Sequence, residues 1–190
     1  QWYLRNADST LVSAINAEAA WAVTPGSSSV VVAVLDTGVR KDHPDLAGKL
    51  LPGYDFISAD SAGVFTTAAD GDGRDADASD PGDYDPTDST STSSWHGTQT
   101  AGLVGAATNN GIGMASIGRN VMVLPLRVLG RGGGYDSDIQ AAMLWAAGIH
   151  VPGVPDNTTP AKVISMSLGA TGTCTAGTHY PDVITQVQAT

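Results

Sequence analysis

The 190-residue chain holds one cysteine, two phenylalanines and only nine lysines and arginines, and each scarcity closes off a class of protein. A lone Cys174 has no mate within the chain, so it is a free thiol or its partner lies outside; internal disulfides are excluded. Nine basic residues against 19 acidic ones give a net charge of −10. That balance argues against nucleic acid and anionic membranes as partners and leaves cations as candidates. No apolar run nears the ~20 residues of a membrane-spanning helix. Gln1-Trp2-Tyr3-Leu4 lacks the basic start and apolar stretch of a secretory signal, so the chain is cytosolic or its signal has been removed. Repeats are absent. A nucleotide-binding α/β domain would lack its phosphate cradle, because neither a Walker motif nor a Gly-x-Gly-x-x-Gly turn follows the first strand-like run.

What is present suits one globular domain: 42% of the residues are hydrophobic, enough to bury a sizeable core. Residues 10–22, TLVSAINAEAAWA, place Leu11, Ile15 and Ala19 at helical spacing before Thr24-Pro25-Gly26 stops the run. SVVVAVLD (29–36), VMVLPLRVL (121–129) and KVISMSLG (162–169) are apolar runs that predict strands inside a parallel sheet. Asp136-Ser137-Asp138 opens a helix that ends at Gly148, and a further helix begins at Pro181-Asp182 with Val183, Ile184 and Val187. Strand and helix alternate, which predicts right-handed crossovers and a layered α/β fold with a parallel sheet.

In such sheets chemistry gathers beyond the carboxyl ends of the strands. Asp36 closes the first strand and is followed by Thr37-Gly38, a turn that would hold its carboxylate at the sheet edge. Taken alone, that is a strand-to-loop turn. His96 changes the balance, since it opens a segment whose Ala101, Gly102, Gly105 and Ala106 form a narrow face. Each glycine costs about 1 kcal/mol of helix propensity, and close approach to the strands would compensate while pinning His96 beside Asp36. Between residues 58 and 94 lies an acidic insertion; its stretch from Asp70 to Asp88 carries eight aspartates and one arginine. There Asp70, Asp72, Asp75 and Asp77 partly mimic a calcium loop, although Arg74 occupies a ligand position and no glutamate closes it. A solvated acidic loop is the plainer reading. His43, His150 and His179 are too scattered for a zinc site.

VAVLDTGVRKDHPDL (32–46) and WHGTQTAGLVGAATNNGIGMASI (95–117) resemble the aspartate and histidine motifs of the subtilisin-like serine proteases, with Gln99 where most members carry a second histidine. LPLRVLGRGGG (124–134) and VISMSLG (163–169) are similar to the segments that flank that family's substrate cleft. QWYL, the insertion and VPGVPDNTTPAKVISMSLG resemble secreted, calcium-containing members from Gram-negative bacteria. The resemblance implies a three-layer fold with a central parallel sheet, of which 1–190 is the amino-terminal half of one catalytic domain. It implies His96 as general base, Asp36 as its orienting carboxylate, and a protein or peptide substrate laid between Gly132, Gly133, Gly134 and Ser167, Leu168, Gly169. It also implies calcium, held by Asp45, the Asn110 side chain and the carbonyls of Thr108, Ile112 and Met114; the clustered Asp70, Asp72, Asp75 and Asp77 of the insertion suggest a second site by their own charge.

The family's nucleophile sits in a Gly-Thr-Ser motif followed later by an oxyanion asparagine; here Gly97-Thr98, Gly172-Thr173 and Gly177-Thr178 all lack the serine. Removing that serine from subtilisin itself costs about 2 × 10⁶ in kcat, so the chain alone is expected to be inactive. The expectation is a secreted endopeptidase, its signal and propeptide gone, completed by a carboxyl-terminal segment that stays docked and offers a mate for Cys174. A chain cut short is the plain alternative. A calcium-stabilised module that grips peptides without cutting them is the competing function, supported by Gln99 and the missing serine.

Overall fold

The computed structural model describes residues 1–171 and 179–190, so Cys174 lies outside the described residues. Four strands, β1 (Val31–Asp36), β2 (Tyr54–Asp55), β3 (Met122–Arg127) and β4 (Val163–Ser165), form one sheet in the order β2-β3-β1-β4. Every neighbouring pair is parallel, with Asp36 opposite Arg127 at the carboxyl ends of β1 and β3. Among the described residues four helices of more than one turn accompany them: α1 (Ala17–Val23), α2 (His96–Gly105), α3 (Asp136–Ala146) and α4 (Tyr180–Gln188).

All six residues of β1 are buried, because helices cover both faces. Val31, Ala33 and Leu35 join Ile139, Ala142, Met143 and Trp145 of α3 in one core. Val34, on the opposite face, packs with Val39, Leu46, Val123 and Ala101 of α2. The period of two thus sends alternate side chains into two separate layers. Tyr54, Phe56 and Trp145 form an aromatic triangle with centroids 5.1 to 5.7 Å apart. Burying a side chain such as Phe56 contributes about 1.5–3 kcal/mol.

The first helix is shorter than the apolar spacing implies. Asp8 captures the amides of Thr10 and Leu11, each at 2.7 Å, while Ile15 and Asn16 donate to the carbonyls of Tyr3 and Arg5. Asn16 then takes the left-handed conformation and α1 begins only at Ala17. The third expected strand is also cut to three residues, with Val163 exposed and the other two half-buried, since among the described residues β4 has a sheet neighbour on one side only. β2 is an additional, two-residue strand. The insertion has neither helix nor longer strand over 58–94; its aspartates close local turns, Asp85 and Asp88 each accepting from the amide two residues on.

Candidate active site

The order β3-β1-β4 brings three strand ends to one edge of the sheet, with Asp36 in the middle. α2 enters that edge with His96 as its first residue. The His96 Nδ1 lies 2.8 and 2.9 Å from the two oxygens of Asp36. Asp36 is 1% exposed and the His96 side chain 42%, so the carboxylate is sealed while the imidazole reaches solvent. Asp36 also accepts from the Thr37 amide at 2.8 Å and the Thr100 hydroxyl at 3.1 Å. Held by these donors, the buried carboxylate fixes the orientation of the ring it faces.

Close helix packing is real and uneven along α2. A Cβ on Gly97 would lie 2.1 Å from the Gly38 carbonyl oxygen, and one on Gly105 would lie 2.5 Å from Val123 Cγ2. Gly102 has room: its Cβ would sit 3.6 Å from Met114 Sδ. Trp95 precedes the helix in the left-handed conformation, its ring under the Arg40 guanidinium at 5.4 Å. Gln99 donates to the Ser94 carbonyl at 2.9 Å and so closes the helix entry rather than entering the Asp36–His96 pair.

The cleft segments emerge after β3 and β4, on either side of β1. Gly130 and Gly133 exchange backbone hydrogen bonds at 2.8 and 3.2 Å, and Gly132 and Gly133 both have positive φ. The triple glycine therefore turns back on itself, and only Gly134 leads onward, under the Val128 carbonyl. Ser167 and Gly169 are exposed and Leu168 packs its side chain on the core. The insertion braces this edge from outside. Arg131 donates its amide to Thr67 at 2.9 Å, and Tyr135 its hydroxyl to Asp60 at 2.8 Å. Beneath it Arg127 is buried, contacting Asp55, Asp70 and the Ala68 carbonyl. Burial pushes the Asp55 carboxyl up to about 7.

Two regions concern a cation. Asp45, 2% exposed, accepts from the Met114 amide at 2.7 Å and from the Asn110 side chain at 2.8 Å. The Thr108 hydroxyl is buried without a partner. Gln1, which sequence reasoning missed, lines a cavity of about 340 Å³ with Thr108, Asn110, Ile112 and Met114; its amide oxygen accepts from Ala115 at 2.6 Å. Oxygens of these kinds are what a hard cation takes, although Asp45 does not line that cavity and both of its oxygens already accept hydrogen bonds. Asp70, Asp72, Asp75 and Asp77 line a second cavity of about 480 Å³, but Asp70 is engaged by Arg127 and Asp77 by Lys41 at 2.6 Å. The Lys41 bond, with that from Ser79, holds the Asp77 carboxyl down at about 2. Among the described residues no group of three or more His, Cys, Asp or Glu side chains is arranged to hold a metal.

An inner strand of a parallel α/β sheet thus ends in a buried carboxylate that is hydrogen-bonded to the first-turn histidine of a closely packed helix. Residues 27–189 match the subtilase family, peptidase S8, and the chain belongs to that family. It is 49% identical over 155 residues to an extracellular basic protease of Dichelobacter nodosus, covering 76% of this chain and 25% of that protein. It is 46% identical over 171 residues to an extracellular protease of Xanthomonas campestris pv. campestris, covering 87% and 28%. A solved protease of Pseudoalteromonas arctica superposes with a TM-score of 0.86 at 45% identity, over 100% of this chain and 53% of that one. The chain thus spans about a quarter of these curated relatives and about half of the solved chain. No helix among the described residues is long and apolar enough to cross a membrane.

Proposed function

We propose that the chain is the amino-terminal part of a secreted subtilisin-like endopeptidase, in which Asp36 and His96 serve a serine carried, with the oxyanion asparagine, on a carboxyl-terminal segment. The observation that carries this reading is the hydrogen-bonded pair of a sealed Asp36 and a solvent-reaching His96 at 2.8 Å. Asp36 holds the proton on Nδ1 and stabilises the imidazolium, which leaves Nε2 to take the seryl proton and return it to the leaving amine. The substrate would lie as an extended strand between Gly134 and Ser167-Leu168-Gly169. The completing segment has a place to dock: the free side of β4 and a groove of about 540 Å³ lined by Met143, Ile164, Met166, Ile184 and Val187 among others. Intact-mass analysis after a fluorophosphonate probe tests this. The chain alone should stay unlabelled, and its complex with the remainder of the domain should take one label on the remainder and cut casein. A complex that forms yet takes no label and grips peptides uncut would establish the binding-module reading instead.

Calcium is proposed for the loop from Thr108 to Met114, with Asp45, Asn110 and the three carbonyls as ligands and Gln1 alongside. Bound there, it would tie that loop to the Asp45 turn. The acidic cavity is the second candidate, since an ion there would have to displace Lys41 and Arg127 from Asp77 and Asp70. At a hundredfold excess over Kd, calcium should raise unfolding stability by about 2.7 kcal/mol. Asn110→Ala should abolish most of that gain in a melt with and without chelator, whereas Asp72→Ala should not; the reverse pattern would move the ion to the insertion.

A further inference from the structure

We propose that Asp80 is a positioning residue for the Asp36–His96 pair, acting through the Thr37 hydroxyl; this rests on the reading of that pair as catalytic. Asp80 belongs to the insertion and bonds neither Asp36 nor His96. It is 6% exposed, with one carboxylate oxygen accepting from the Gly82 amide at 2.8 Å and the other from the Thr37 hydroxyl at 2.7 Å. Its own amide donates to the Val39 carbonyl at 3.0 Å, so the carboxylate is fixed at both ends.

The Thr37 hydroxyl has one hydrogen and two lone pairs. With the hydrogen drawn to Asp80, a lone pair faces the Gly97 amide, which donates to it at 3.0 Å. Gly97 is the second residue of α2, and Trp95, at the cap position, supplies no side-chain cap. Thr37 therefore supplies, from the turn after β1, the acceptor that a capping residue would normally provide. The Thr37 backbone amide meanwhile holds Asp36 at 2.8 Å. One residue thus grips the acid through its amide and the histidine's helix through its hydroxyl, and Asp80 sets the direction of that hydroxyl. Gly97 lies against Gly38 with no space for a Cβ, so a turned hydroxyl leaves an unpaired buried amide beside His96.

The test reads the Nδ1 proton of His96 by nitrogen-correlated NMR on this chain, assigned by its loss in His96→Gln. Wild type and Thr37→Ser should show a slowly exchanging Nδ1 proton. Asp80→Ala and Thr37→Val should lose it or exchange it at least tenfold faster. A merely structural role for Thr37 predicts the opposite order, because Val keeps the buried volume and Ser gives up the methyl. Should Asp80→Ala fail to fold, the Thr37 pair decides. Retention of the proton in Thr37→Val overturns the proposal. Its absence in wild type overturns the Asp36–His96 reading itself, and this proposal with it.

Discussion

Asp36 and His96 were legible because each stands in a local frame, an apolar strand end and a small-residue helix start, that announces a constrained place. Thr37 sits inside the quoted Asp-Thr-Gly and Thr100 lies one turn after His96, so helical spacing offered a signal for both. Asp80 offered none: it is one of eight aspartates in a short stretch, and what distinguishes it is a contact 43 positions away. Side-chain chemistry also decides how single groups titrate. Tyr180 donates to Asp136 at 2.9 Å, and burial, reinforced by that bond, pushes its phenol up to about 12 from 10.0. Its folded pKa is raised, so its contribution is intact below pH 10 and is lost as pH rises through about 12. An ultraviolet absorbance titration should show a last ionisation near pH 12 that Tyr180→Phe removes; a last step that survives the substitution would refute the assignment.

At the scale of elements, period and composition found the buried strands β1 and β3 and the helices α2, α3 and α4, all of which present an apolar face. They overran at α1, where Asp8 diverts the amides a helix needs, and missed β2, whose two residues carry no period. Composition also treated the glycines of α2 alike, whereas their surroundings differ. Gly97→Ala puts a methyl into the Gly38 carbonyl, a backbone atom 2.1 Å away that cannot swing aside. It should destabilise by about 1–3 kcal/mol despite the better propensity of alanine. Gly102→Ala meets only Met114 Sδ at 3.6 Å, so it should stabilise by about 0.5–1 kcal/mol. Urea unfolding of the two variants checks both signs, and equal effects would mean that the helix tolerates a shift away from the β1 turn.

For the whole molecule, the sheet is the feature that matters: β1 is enclosed between β3 and β4, and among the described residues β4 has a neighbour on one side only. The groove beside β4, formed jointly by α3, β4 and α4, depends on contacts between distant segments and has no linear trace. Met166 is 38% exposed and Ile184 41%, both lining that groove. Half-exposed apolar residues beside an unpaired strand are a liability unless something covers them. Met166→Lys should therefore leave the isolated chain's stability within about 0.5 kcal/mol, as surface changes do. The same variant should weaken association with the remainder of the domain at least tenfold, since a buried lysine in an apolar contact is costly. Calorimetric titration of the remainder into each variant measures the second effect and urea unfolding the first. Unchanged association would place the completing segment elsewhere on the sheet, whereas a large loss of stability in the isolated chain would mean that Met166 serves this half's own core.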